Sequence, residues 1–293
     1  MLRILSQLHG NENLIGKTSL KKKLTVYDLL KLKGVRKIHE VFVNNIDEAL
    51  AAEEAGIDMI VAGYDQPQYG INNTFEDLKR IRQAVPCTHM MSSPTEREYV
   101  SGEEAVRSAY KLMDIGIDSI YSKNSSTIIK ELRREKVPVV SHVGLVPGNN
   151  TWTGGYIAVG KTAIGAFEIL NHAKELEDAG VIALEVEVVP TKVAEVITKR
   201  LNILTISMGS GSECDAQYLF SQDILGYNKG HIPRHSRIYR NFNKQFLRLH
   251  EERVNAYKEF IQDTENKKFN DPKITVKIND KEFEKFLKES EKY

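Results

Sequence analysis

At 293 residues, the chain has the length of one large α/β barrel or two smaller domains, and either could bury a substantial core. Its 41 basic and 40 acidic side chains leave a net charge of +1, which gives no electrostatic footprint for nucleic acid or an anionic membrane. A small molecule or a second copy of the chain is the expected partner. Cys87 and Cys214 are too few and too isolated for a disulfide framework or a cysteine-rich zinc site. The N-terminal text MLRILSQLHGNENLIG has too short an apolar run for a signal h-region, and no stretch of roughly 18 apolar residues follows to span a bilayer. The expectation is a cytoplasmic protein.

In chain order, KIHEVFV at 37–43 reads as the first strand. NIDEALAAEEAG follows at helical period, with Gly56 placed to end it. DMIVAG (58–63) is a second strand, and the next helix begins near Phe75, with Thr74 as its cap and Asp77 at the capping-box position. CTHMM (87–91), IDSIY (117–121), VPVVSHV (137–143), IALEVEVV (182–189) and ILTISM (203–208) continue the strands, each separated from the next by a segment of helical period. A less regular eighth unit surrounds YLFSQDILG (218–226), and an eight-fold barrel is the natural closure. No composition break divides residues 25–262, which are read as the barrel domain with its C-terminal helix. Residues 1–24 form an N-terminal segment, and 263–293 a charged extension expected to hold a short strand and a helix.

Several segments carry a resemblance: KKKLTVYDLLKLKG (21–34), EEAGIDMIVAG (53–63), SHVGLVPGNNTWTGGYIAVGKT (141–162), AKELEDAGVIALEVEVVP (173–190) and MGSGSECDAQYLFSQDILG (208–226). Together they are similar to the ketopantoate hydroxymethyltransferase family of the phosphoenolpyruvate mutase/isocitrate lyase superfamily. The resemblance implies a TIM barrel, a homo-oligomer using its C-terminal helical region, and transfer of a one-carbon unit from methylenetetrahydrofolate to the α-carbon of a 2-oxoacid. It also implies a magnesium ion that stabilises the enolate. Glu187 matches the family's proton-moving glutamate, and His142 a histidine of its pocket.

The sequence departs from the family at the metal. The first aspartate position, in a VGDS-like turn, is held by Tyr64 with Asp65 beside it, and the second, in ADLPF-like text, corresponds to Ser92. The family's glutamate in KLEGG-like text corresponds to Lys123, and its lysine two residues earlier to Tyr121. Magnesium asks for hard oxygen ligands, usually including carboxylates. Tyr64, Ser92 and Lys123 supply none, and a lysine repels the cation. No metal is therefore expected. An ammonium at Lys123 would stabilise the enolate electrostatically, or attack the carbonyl to form a Schiff base.

Glu185 and Glu187 alternate along their strand, and one is expected to face the barrel interior while the other faces the helices; the resemblance implies that Glu187 is the inward acid. The GSGSE loop (209–213) lacks the Walker lysine pattern and reads as a tight strand-to-helix turn. HIPRHSRIYRNFNKQFLRLHEER (231–253) mixes basic and aromatic residues and reads as an amphipathic helix at a subunit interface. The leading expectation is a divergent family member that makes or breaks a carbon–carbon bond next to a small carbonyl group. Glu187, Lys123 and His142 are its catalytic residues, and Tyr64, Asp65, Ser92 and Tyr121 line its pocket. The alternatives are a catalytically silent assembly subunit and an ordinary metal enzyme that holds its ion through Asp65 and water.

Overall fold

The computed structural model describes residues 22–67, 70–94, 99–230 and 232–293. Of the N-terminal segment expected at 1–24, residues 1–21 lie outside the described part, and with them the signal-peptide question. The chain divides into two compact units, one up to Tyr239 and one from Arg240 to Tyr293.

In the first unit, a short helix α1 (Val26–Lys31) precedes β1 (Ile38–Phe42), α2 (Ile46–Glu54), β2 (Met59–Val61) and α3 (Phe75–Ala84). β3 (His89–Ser92), α4 (Gly102–Asp114), β4 (Ser119–Tyr121), α5 (Ser126–Arg134) and β5 (Val139–Gly144) continue the alternation. A short α6 (Asn150–Thr153) interrupts the loop before α7 (Ala163–Ala179), and β6 (Ala183–Glu187), α8 (Thr191–Arg200), β7 (Leu204–Met208), β8 (Ala216–Phe220) and α9 (Ser221–Ile224) complete it. The eight strands pair in parallel, each with its sequence neighbour, and β1 pairs with β8 to close the barrel. The fold is the expected (β/α)8 barrel.

Local chemistry starts the helices where expected. Thr74 accepts from Asp77 N while the Asp77 carboxylate accepts from Thr74 N, a reciprocal box that begins α3 at Phe75. Thr25 and Asp28 make the same box on α1. Gly180, at φ +97°, ends α7 in the left-handed conformation that costs glycine least.

Strand alternation builds two cores. Val41, Ile60, Met90, Ile120, Val139, Leu184 and Val186 face the helices, where Leu78, Ala109, Leu132 and Leu176 meet them. Phe42, Met59, Val61, Met91, Val140, Ala183, Ile206, Met208 and Tyr218 fill the barrel itself.

The second unit holds α10 (Phe242–Glu265) and α11 (Asp280–Ser290), neither with a buried residue. The strand expected in the extension does not form: KITVKI (273–278) alternates like a strand but pairs with none, and an unpaired strand leaves its ladder unmade.

Candidate active site

β5 and β6 lie side by side with His142 in register with Glu185 and Gly144 in register with Glu187. Residues two apart on a strand share a face, so Glu185 and Glu187 both point into the barrel. The expectation of opposite faces is corrected: both carboxylates flank the same imidazole. Glu185 Oε2 lies 3.2 Å from His142 Nδ1, and Glu187 Oε2 lies 3.1 Å from Nε2. From the end of β4, Tyr121 brings its hydroxyl to 2.8 Å from His142 Nδ1 and sets its ring edge-on to the imidazole.

Burial disfavours a charged His142, but the contacts with Glu185 and Glu187, and then their negative charge, outweigh it. The imidazole pKa rises to about 9. The two flanking carboxylates thus favour the imidazolium form of His142. Burial first, and Glu187 second, raise the Glu185 carboxyl, with His142 pulling the other way.

Glu40, from β1, joins the interior opposite Tyr218 of β8. Burial pushes its carboxyl well above the usual range, and the neighbouring Glu185 adds to the rise. Burial likewise raises the Tyr218 hydroxyl, with Glu185 and Glu40 contributing.

These groups are also unusual in their hydrogen bonding. Both Glu40 carboxyl oxygens, His142 Nε2 and Glu187 Oε2 are buried with no hydrogen-bond partner. The approach of His142 Nε2 to Glu187 is close enough for charge to act but off-axis for a hydrogen bond. Among the described residues, the other such atom is Ser236 Oγ. Each buried unmade bond costs about 1–3 kcal/mol, and nearly all of that cost is concentrated inside the barrel.

The backbone at this end is tightly built. Gly144 has φ +93°, and a Cβ there would lie 2.3 Å from Glu187 O, so only glycine lets the two strand ends approach. Leu145 N donates to that same oxygen at 2.9 Å. Val188 follows Glu187 at φ +51°, a left-handed conformation costly for a β-branched residue. Strain and unmade hydrogen bonds thus meet at the C-terminal end of β6, the end of a (β/α)8 barrel that carries chemistry.

The family model for ketopantoate hydroxymethyltransferase matches residues 23–272. The chain belongs to the ketopantoate hydroxymethyltransferase family. A 3-methyl-2-oxobutanoate hydroxymethyltransferase from Geobacillus sp. (strain WCH70) is 34% identical over 254 residues, covering 80% of this chain and 87% of the relative. One from Pyrococcus abyssi is 30% identical over 284 residues, covering 92% and 98%. Among solved structures, a protein from Burkholderia cenocepacia J2315 described as a phosphonomutase aligns over 66% of this chain and 90% of its own, with a TM-score of 0.52 at 12% identity. A phosphonopyruvate hydrolase solved with oxalate and Mg²⁺ aligns over 92% and 96%, with a TM-score of 0.50 at 12% identity. Identities this low speak to fold alone, and the shared fold is the (β/α)8 barrel.

For this ketopantoate hydroxymethyltransferase family member, the structure brings together three of the residues singled out from sequence: Glu187, His142 and Tyr121. Lys123 is half-buried in the loop just past β4. Tyr64 instead packs edge-on against Phe75, the first residue of α3, and Asp65 is exposed in the following loop with φ +49°. Ser92 is fully buried and donates to Ala62 O at 2.6 Å, closing the seam between β2 and β3. The GSGSE loop joins β7 directly to β8 rather than to a helix as expected, and Ser210 Oγ ties it to the end of β6, donating to Val186 O and accepting from Val189 N.

The family resemblance implies magnesium, and the side chains here do not fit it. At the three positions that the resemblance matches to metal ligands stand a phenol, a hydroxyl donated to the backbone and an amine. Among the described residues, no three His, Cys, Asp or Glu side chains are grouped to hold a metal ion. The carboxylates that do converge, Glu185 and Glu187, flank His142 rather than any of those three positions.

Glu40, Glu185 and Tyr218 were missed as site residues. The signal for Glu185 was present in its spacing of two from Glu187. Glu40 showed as a lone acid inside the apolar strand IHEVF, where a buried charge needs a reason.

Proposed function

We propose that this chain carries out the family's hydroxymethyl-transfer chemistry on a small 2-oxoacid without a divalent ion. What supports it above all is the placement of unpaired polar atoms: a cationic His142, Glu187 and Glu40 turn them into one barrel interior. Glu187 removes the α-proton, since its Oε2 is the unpaired carboxylate oxygen at the strand end. The His142 imidazolium, oriented by Glu185 and Tyr121, offers its unpaired Nε2–H to a substrate oxygen. Lys123, half-buried in the loop two residues past Tyr121, meets the charge of the substrate with its ammonium. The enolate carbon then attacks a one-carbon unit at the oxidation level of formaldehyde.

Proton exchange at the α-carbon of 3-methyl-2-oxobutanoate, pyruvate and 2-oxobutanoate in D₂O, followed by NMR with and without chelator, tests this. Exchange is expected to persist with chelator and to fall about 10²–10⁴-fold in Glu187→Gln, the usual range for a lost general base. Chelator-sensitive exchange restored by magnesium returns the chain to the ordinary family mechanism. No exchange with any of the three acids makes it a silent barrel. Lys123→Met should raise KM, and borohydride trapping on Lys123 would identify an imine in place of an ion pair.

A further inference from the structure

We infer that Glu40 is a further catalytic residue: a neutral carboxylic acid that donates its O–H to the carbonyl oxygen of the bound 2-oxoacid. The inference rests on the function proposed above and deepens it, by naming the donor that meets the enolate oxygen where the family uses a metal.

Glu40 sits in the middle of β1 with 2% of its surface exposed, and neither carboxyl oxygen has a hydrogen-bond partner. An ionised carboxylate in that position would be desolvated without a single compensating hydrogen bond, which proteins avoid by protonation. The groups around it push the same way. From β6 it feels Glu185, and from β8 it is in register with Tyr218, whose hydroxyl is itself held protonated. From β4 and β5, Tyr121 and the His142 imidazolium face the same interior, the latter between Glu185 and Glu187. From β2 and β7 come the apolar Met59, Val61, Leu204, Ile206 and Met208. From β3, His89 is engaged by Leu24 O and Ser119 Oγ, beside the apolar Met91.

A protonated Glu40 therefore holds an O–H with no acceptor among the described protein atoms. Such a donor is available to a ligand oxygen, and it grows in worth as negative charge develops on that oxygen in a dry site. The step balances without further reagents. Glu187 takes the α-proton, the C–H pair becomes the C=C bond, and the carbonyl π pair moves onto oxygen. Glu40 keeps its proton and shares it with that oxygen through the hydrogen bond. A neutral acid suits this role because a carboxylate at the same place would repel the enolate.

Two variants separate donation from charge. Glu40→Gln keeps an N–H donor of similar shape and cannot ionise; Glu40→Leu keeps the volume and removes the donor. In the full-length protein, α-proton exchange is expected within about tenfold of wild type for Glu40→Gln, and about 10²–10³-fold slower for Glu40→Leu. Oxalate, a planar mimic of the enolate, should bind with about tenfold or greater loss in Glu40→Leu alone. Infrared difference spectra at pH 7 should show a carboxylic-acid carbonyl band in wild type that shifts on oxalate binding and is missing from Glu40→Gln. A merely structural Glu40 would not move that band. Equal exchange in wild type and Glu40→Leu, or no acid band in wild type, overturns the donor role while leaving the proposed function standing. No exchange by wild type removes both.

Discussion

Two sets of acids belong to the barrel, one at the N-terminal ends of its strands and one in its interior, and they are treated oppositely. Asp58, Asp118 and Asp215 immediately precede β2, β4 and β8. Each is saturated with donors. Asp58 takes both guanidinium nitrogens of Arg36 at 2.8 Å and the backbone N of His39 at 3.0 Å. Asp118 takes Lys23, Arg82 and Met90 N, and Asp215 takes Lys33 with the N and Oγ1 of Thr205. In the barrel interior beyond them, Glu40 has no hydrogen-bond partner and Glu187 leaves Oε2 without one. A buried charge with its bonds made holds a fold together; one without them weakens it and is retained for another reason. Satisfaction of the acids, rather than their number, separates the stabilising end from the chemical one.

That contrast can be broken in either direction by mutation. Asp118→Ala removes the ion-pair partner of the Arg82 guanidinium, whose side chain is 7% exposed and keeps its bonds to Thr88 O and Val85 O, and should cost about 3 kcal/mol in urea unfolding. A loss below 1 kcal/mol would remove the stabilising half of the comparison.

The pH dependence of the interior comes next in size. His142 has a folded pKa of about 9 against an unmodified 6.5, so its contribution is fully present below about pH 6.5 and lost as pH rises through about 9. The stability gap between wild type and His142→Gln should therefore shrink by on the order of 3 kcal/mol from pH 6 to pH 10. Glu40 has the same sign, because its pKa is also raised on folding: its protonation favours the native state at low pH, and that advantage fades as pH rises past its unfolded value. A gap that widens with pH would show His142 to be neutral.

Gly144→Ala drives a methyl against Glu187 O and should cost about 2 kcal/mol while lowering exchange activity, measured together by thermal unfolding and NMR. Stability loss with unchanged activity would separate Glu187's carboxylate from its backbone. The smallest expected effect has the opposite sign. Glu40→Leu replaces an unpaired acid with apolar volume and should raise stability by about 1 kcal/mol at pH 7 while slowing exchange. Destabilisation by that variant would place Glu40 with the aspartates instead.

Much of the barrel is legible in the sequence alone. The seven regular strands and the start of α3 follow from local rules, because alternation, capping boxes and left-handed glycines act over a few residues. The eighth strand, Ala216–Phe220, begins two residues before the expected stretch and runs into a four-residue helix, too short to show a period. The site is legible only in part. His142, Tyr121 and Glu187 stand out through their matched positions at strand ends, whereas Glu40 and Glu185 do not. Their role depends on neighbours across the barrel. Ser92 and Tyr64, matched to ligand positions by text, make their observed contacts with Ala62 and Phe75.

The order of βα units, the places where helices start and the glycine under Glu187 were all determined by the amino-acid sequence, since each is a property of adjacent residues. Closure of β1 onto β8 brought Glu40 into the chamber of Glu185 and His142, and only the tertiary structure decided which acids there would be paired and which left without partners. Pairing and desolvation depend on what surrounds a group in three dimensions, and that environment is assembled from strands far apart in the chain.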